Sequence, residues 1–341
     1  MTLWGESPAI VNETKDDSSD SSLRSEELGV RQEAQEDVSF GDQIKNKQKN
    51  ILRIGFQNIG GFPVKKSKIK EDIIRQGLIK WDFDIFGVVE TNLDWRLCRE
   101  EDKLPLRTNS WWDHQHVSWS FNSTAAPLEP RQYGGTAVFS NNQAAHRAIS
   151  KGRDKSDLGR WSWTRYKGKG DSRLCVIAAY RPNPPTGSKS VYAQQNVYFL
   201  SKGHQKCPRI AFVEDIKELL KEFLEAGDQI VLMMDGNCNM RDSDLQRMLN
   251  ELTLKEILLT KHGPAGPATS KRNTQAIPID GMWTTPGIHM EAGGYFKFDE
   301  VMINTDHRIC GWTSPSLLLL AIICHLYFAL KLKGCTVVIH D

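Results

Sequence analysis

Six short apolar runs in this chain stop at, or just before, a residue that carries chemistry, and that pattern restricts the fold more than any other feature. "ILRIGFQN" (51–58) ends on Asn58, "FDIFGVVE" (83–90) on Glu90 and "RLCVIAAY" (173–180) on Tyr180. "DQIVLMMD" (228–235) ends on Asp235, with Asn237 two residues further on. "AIPID" (276–280) ends on Asp280, and Asp306 and His307 lie just beyond "VMIN" (301–304). Runs of this length bounded by turn residues read as buried strands. Asp-Gly-Asn at one strand end is ordinary turn chemistry. Eight such residues at the ends of six strands point to one polar face on a layered sheet.

The remaining periodicity supplies the other layers. "KIKEDIIRQGLIKW" (68–81) reads as a short amphipathic helix. "AFVEDIKELLKEFLEAG" (211–227) carries Ile216, Leu219, Leu220, Phe223 and Leu224 on one face and Gly227 as its stop. "DSDLQRMLNELTLKEIL" (242–258) opens on a capping aspartate and is expected to continue as one helix. Residues 134–140 and 159–168 read as further strands, and residues 298–312 close the folded part. Strands outnumber helices in a mixed order, which argues for two packed sheets with helices outside.

Charge divides the chain. Residues 1–50 hold eleven acids and six bases, a balance of −5, which leaves +7 on the rest of a chain whose total is +2. Residues 1–49 are therefore expected to be a disordered acidic segment. A basic body suits a polyanion such as nucleic acid, and general solubility explains a modest excess equally well. Seven scattered cysteines with no C-x-x-C pair speak against structural zinc and for a reducing compartment. The first residues have no basic start followed by an apolar stretch, so no secretory signal is read there. The expected location is intracellular, the nucleus included.

The chemical types at the strand ends agree with one another. Glu90 and Asp306 offer hard oxygens and Asn58 a neutral one, a set that suits Mg²⁺, with Mn²⁺ as the alternative. His307 beside Asp280 makes an oriented acid–base pair. Asp235 can position a water, while Asn237 and Tyr180 can donate to a phosphoryl oxygen. Taken singly, each has a plainer reading as a solvated strand end or a turn cap; together they form a kit for metal-assisted phosphodiester hydrolysis. Arg181 and Arg272 are the candidates for touching substrate phosphate.

The blocks "FQNIGG", "VVETN", "AAYRPN", "MMDGNCN", "IPIDGMW" and "NTDHR" occur in the order seen in the endonuclease/exonuclease/phosphatase superfamily, which residues 50–312 resemble. The resemblance implies a four-layered α/β sandwich, two packed mixed β-sheets flanked by helices. It implies a Mg²⁺-dependent hydrolase acting on phosphoester bonds. Asn58, Glu90 and Asp306 correspond to metal-site residues, and Asp235 and Asn237 to the pair that activates water and contacts phosphate. Tyr180 corresponds to the active-site tyrosine, and Asp280 to the residue that orients the catalytic His307. Thr305 stands where serine is commoner. "LGRWSWTRYKGKG", "CPRIAFVEDI" and "GPATSKRNTQAIPIDGMW" are most similar to endonuclease domains of retroelements, which implies action on DNA; a monomer is expected. A phosphatase of small esters and a non-catalytic nucleic-acid binder remain as alternatives.

Four features fall outside this pattern. His114 and His116 form an H-x-H without an evident third ligand. The tryptophans at 111, 112, 119, 161 and 163 can be core or stacking surfaces. "KKSKIK" (65–70) and "SKRNTQ" (270–275) are basic loops. Finally, the apolar run from Leu317 to Leu330 is shorter than the roughly 20 residues of a membrane span. Residues 313–341 are expected to be an atypical tail outside the domain.

Overall fold

The computed structural model describes residues 37–44, 46–64, 68–272, 277–298, 300 and 305–315. The apolar run after Pro315, the first half of "KKSKIK" and the end of "SKRNTQ" lie outside these residues. The strands are β1 (Phe40–Gly41), β2 (Ile51–Asn58), β3 (Ile85–Val89), β4 (Gln115–Ser120), β5 (Thr136–Asn141), β6 (Ala148–Arg153) and β7 (Trp161–Lys167). They continue as β8 (Arg173–Tyr180), β9 (Gln229–Asp235), β10 (Lys255–Glu256), β11 (Asp280–Thr284), β12 (Ala292–Tyr295) and β13 (Cys310–Pro315). The helices are α1 (Lys68–Lys80), α2 (Leu104–Arg107), α3 (Asn142–His146), α4 (Val191–Ser201), α5 (Pro208–Glu225), α6 (Asp244–Glu251) and α7 (Ile257–His262).

Two mixed sheets pack face to face, as the resemblance implies. One runs β1-β12-β13-β2-β3-β5-β4 and the other β10-β11-β9-β8-β7-β6. Their inner faces share one apolar cluster, in which Ile54, Phe56, Val89 and Val138 meet Val176, Ala178, Val231, Met233 and Met282. Gly87 makes the close approach possible: a Cβ there would sit 2.5 Å from Met233 Cε, across the interface. The outer faces are covered by helices. Ile74 and Leu78 of α1 pack on Phe83, Phe86 and Val88. Phe212, Ile216, Leu220 and Phe223 of α5 pack on Ile177, Ile230, Leu232 and Met234. Sheet strands covered on both sides read as continuous apolar runs rather than alternating ones, which is how they stand in the sequence.

Each sheet has a parallel pair at its centre, β2 with β3 and β8 with β9. Parallel pairs send both strand ends out at one edge, where open α/β sheets place their chemistry. β11 and β13 run antiparallel to β9 and β2, so their N-terminal ends return to that edge.

Several expectations change. Residues 242–258 are not one helix: α6 stops at Glu251, Thr253 takes φ +63°, and Leu254 is fully buried. The left-handed residue turns the chain so that Lys255–Glu256 can pair with Trp283–Thr284. Within residues 298–312 the described strand starts at Cys310. β6, β12 and α4 have weak or Gly-broken periodicity and are not evident in the sequence. The folded body begins before residue 50: Phe40 and Gly41 pair with Tyr295 and Gly294, Asp37 pairs with Arg308, and Asp42 with Lys261. It also runs past Trp312, because β13 reaches Pro315 between β12 and β2.

Trp111 and Trp161 are buried core residues, and Trp163 packs edge-on against Phe223. His114 stacks near His146 at 4.3 Å, while burial and Lys151 push His116 down to about 4. Neither joins a three-ligand group among the described residues. No described helix is long and apolar enough to cross a membrane.

Candidate active site

The strand ends converge as the topology requires. Asp280 stands directly across from Asp235 in the β9–β11 register. Cys310 pairs with Phe56, which brings His307 over the end of β2 and beside Asn58. His307 Nδ1 lies 2.8 Å from Asp280 Oδ2, and Asp235, Asp280 and His307 bring one ligand atom each within 4.8 Å of one another. All three are buried.

Asn58 is the hub. Its amide nitrogen donates to Glu90 Oε1 and to Asp235 Oδ2, both at 2.9 Å, and lies 3.4 Å from His307 Nε2. Its Oδ1 accepts the Gly60 N–H at 3.0 Å. The sequence reading offered this side chain as an oxygen ligand. Here the oxygen is used by the backbone and the nitrogen faces the acids, because two carboxylate oxygens need donors and a backbone N–H needs an acceptor.

The loops after the strands are held in unusual backbone geometry. Glu90, Asn92 and Asn237 take φ of +56°, +51° and +46°. Non-glycine residues adopt this region at a cost, and such residues concentrate at functional sites. Glu90 Oε2 accepts from Asn92 Nδ2 at 3.2 Å. Asp235 Oδ1 accepts the Asn237 N–H at 3.1 Å. Tyr180 is buried, its hydroxyl within hydrogen-bonding reach of Glu90 and Asn237.

Charge accumulates here. Burial, then the neighbouring Asp280 and Glu90, push the Asp235 carboxyl well above the carboxylate range, against the pull of His307 and Asn58. Burial disfavours a charged His307, yet Asp280, Asp235 and Glu90 hold its imidazole up at about 10. Burial and the Glu90 and Asp235 charges keep Tyr180 a neutral phenol, a donor. Asp280 Oδ1 is buried with no hydrogen-bond partner among the described residues. An excess of carboxylates with an unpartnered oxygen is a donor set that fits a hard divalent cation.

A cleft of about 510 Å³ opens on this cluster, lined by Glu90, Asn237, Asp306, His307 and Arg272. Arg272 Nε pairs with Asp306 Oδ2 at 2.7 Å, so the candidate phosphate contact and the candidate metal ligand lie side by side at the mouth. Arg181 is different: it is 3% exposed, does not line the cleft, and directs Nη2 toward Asp244 at 3.6 Å. It packs under the site because its backbone N–H bonds Asp235 O at 3.0 Å and its carbonyl accepts from Asn237 Nδ2 at 2.7 Å. The cleft also has walls that strand-end reasoning missed: Asn92, Arg131, Tyr133, Asn183 and Ser270. Asn92 and Asn183 sit inside the "VVETN" and "AAYRPN" blocks. Arg131 and Tyr133 precede Gly134–Gly135, whose positive φ marks the turn that delivers them.

No family sequence model matches the chain, and no curated protein does. Solved structures do. An AP endonuclease from Leishmania major is similar over 78% of this chain and 88% of that one, with a TM-score of 0.57 at 14% identity. An AP endonuclease from Archaeoglobus fulgidus matches over 76% and 98%, with a TM-score of 0.52 at 16% identity. A 3′ phosphatase from Neisseria, bound to a product DNA hairpin, matches over 76% and 98% with a TM-score of 0.51 at 15% identity. The chain has the fold of the endonuclease/exonuclease/phosphatase superfamily.

Proposed function

We propose that the protein is a metal-dependent phosphodiesterase that nicks DNA. The observation that carries this reading is the buried Asp235–Asp280–His307 cluster, tied through Asn58 to Glu90, at the floor of an open polar cleft. A Mg²⁺ ion, or Mn²⁺ in its place, would be held by Glu90 with Asp306, and would supply charge stabilisation for a phosphoryl group in the transition state. Asp235 orients the attacking water. His307, fixed by Asp280, places Nε2 toward the cleft and stabilises charge on the phosphoryl oxygens. Tyr180 and Asn237 hold the far side of the same group through donors already in place, which removes reorganisation at the moment of reaction.

DNA as substrate is supported by the polyanion-compatible wall of Arg131 and Arg272 and by the AP endonucleases among the similar structures. The quoted sequence blocks support descent from a retroelement endonuclease domain, and we take the protein to act as a monomer inside the cell. The test is nicking of supercoiled plasmid by the full chain with Mg²⁺ or with chelator, beside His307→Ala. Metal-dependent nicking that falls by about 10³-fold or more in the variant is expected. A folded protein that releases phosphate from 3′-phosphorylated ends and leaves the plasmid intact would replace the endonuclease reading with a phosphatase.

A further inference from the structure

The end of β9 is clamped from behind by a residue that does not itself line the cleft. Arg209 lies in the first turn of α5, half-buried. Its Nη1 donates to the carbonyl of Pro182, just beyond β8, and its Nη2 to the carbonyl of Asn237 at 3.1 Å, just beyond β9. A single planar guanidinium thus joins the two loops that carry Tyr180 and Asp235–Asn237. A guanidinium presents its donors in a fixed fork, so it sets the spacing of two carbonyls in a way a flexible ammonium does not.

The position is an expensive one for a cation. A positive charge at a helix N-terminus opposes the helix dipole. Arg209 makes no ion pair among the described residues, and burial and the neighbouring Arg181 both work against its charge. Packing alone would be served better by an apolar side chain. What the charge provides is the pair of bonds to the loops, and one of those loops needs holding. Asn237 is a left-handed non-glycine residue at φ +46° whose side-chain nitrogen gives one of its two N–H donors to the Arg181 carbonyl.

We propose that Arg209 is a positioning residue of the proposed reaction: by fixing the Pro182 and Asn237 carbonyls it holds the Tyr180 hydroxyl and the Asp235–Asn237 turn in register across the phosphoryl site. The inference rests on the phosphodiesterase reading for its kinetic consequence and on geometry alone for its structural one.

Both are measured on the full chain, with Arg209→Met and Arg209→Lys. In Arg209→Met, kcat for plasmid nicking is expected to fall about 10- to 100-fold, the scale of a small misplacement of catalytic groups, with KM unchanged because Arg209 does not line the cleft. Arg209→Lys reaches one carbonyl and restores part of the loss. Guanidinium ion at low millimolar concentration rescues Arg209→Ala. Amide hydrogen exchange of residues 235–239 rises in Arg209→Met while that of residues 229–234 of β9 does not. An active wild type whose Arg209→Met variant keeps its kcat, or loses KM instead, overturns the proposal. Unchanged exchange at 235–239 also overturns it. If the wild type does not nick DNA but exchange at 235–239 still rises in the variant, the clamp stands and the reaction reading falls.

Discussion

Changing Asn58 to aspartate alters one atom of the site and separates two accounts of it. Its amide nitrogen bridges two carboxylates at 2.9 Å each, and at 1% exposure water cannot take its place. Hydrogen bonds to charged groups contribute about 1.5–3 kcal/mol each, so losing both costs about 3–6 kcal/mol. An ionised carboxyl at the same distance would add repulsion of about 6 kcal/mol per pair at an effective dielectric of ~20. That repulsion raises the pKa of the new carboxyl, so it is protonated at low pH and ionised at high pH. At pH 8 in chelator the expected loss is the full 3–6 kcal/mol, or on the order of 10 °C in Tm for a folded body of this size. At pH 5 the protonated carboxyl again donates one bond, and roughly half the loss returns. Thermal melts followed by circular dichroism at both pH values give the answer. A variant that melts within about 1 °C of wild type in chelator at pH 8 would show that Asn58 offers its oxygen to the site, and would refute the donor role drawn from the geometry.

Other outcomes follow from residues away from the cleft. Burial holds the Glu256 carboxyl up at about 7, against the backbone N–H groups of Met282, Leu259 and Leu258. The folded state then binds the proton more tightly than the unfolded chain, so this contribution is full below about pH 4.5 and is lost as pH rises through 7, up to about 3 kcal/mol. Denaturant titrations from pH 4.5 to 8 should show wild type losing more stability than Glu256→Gln; parallel curves would sink the idea. Starting the chain at residue 45 removes the β1–β12 pairing and the Asp37–Arg308 and Asp42–Lys261 ion pairs. A loss of about 2 kcal/mol, or ~4–8 °C, is expected relative to a chain starting at residue 37, and equal melting temperatures would make the strap ornamental.

The strand ends were legible because each conclusion needed only local information. A strand buried on both faces must be apolar throughout, so a carboxylate or amide at its end stands out, as at Glu90, Asp235 and Asp280. The spacing of Asp235 and Asn237 within one turn needed nothing further. Ile216, Leu219, Leu220 and Phe223 likewise placed α5 against a sheet by period alone. Where the periodicity was short, it failed: the break at Thr253 is decided by Leu254 finding the core and Lys255–Glu256 finding β11, which no helix propensity outweighs.

The sequence by itself therefore determined the longer apolar strands, the α5 helix, their layering and which polar side chains stand at the strand ends, since burial and turn chemistry act over a few residues. Tertiary structure alone decided what those side chains do to one another. Register set Asp280 against Asp235, and the antiparallel return of β13 set His307 over Asn58. Asn58 became a donor only because two acids from other strands reached its nitrogen first. Arg181 was turned under the site toward Asp244 of α6, and Arg209 was brought to its back by the packing of α5. Hydrogen bonds and charge act over a few ångströms in space, and partners separated by 177 residues for Asn58 and Asp235 meet only when the sheets close.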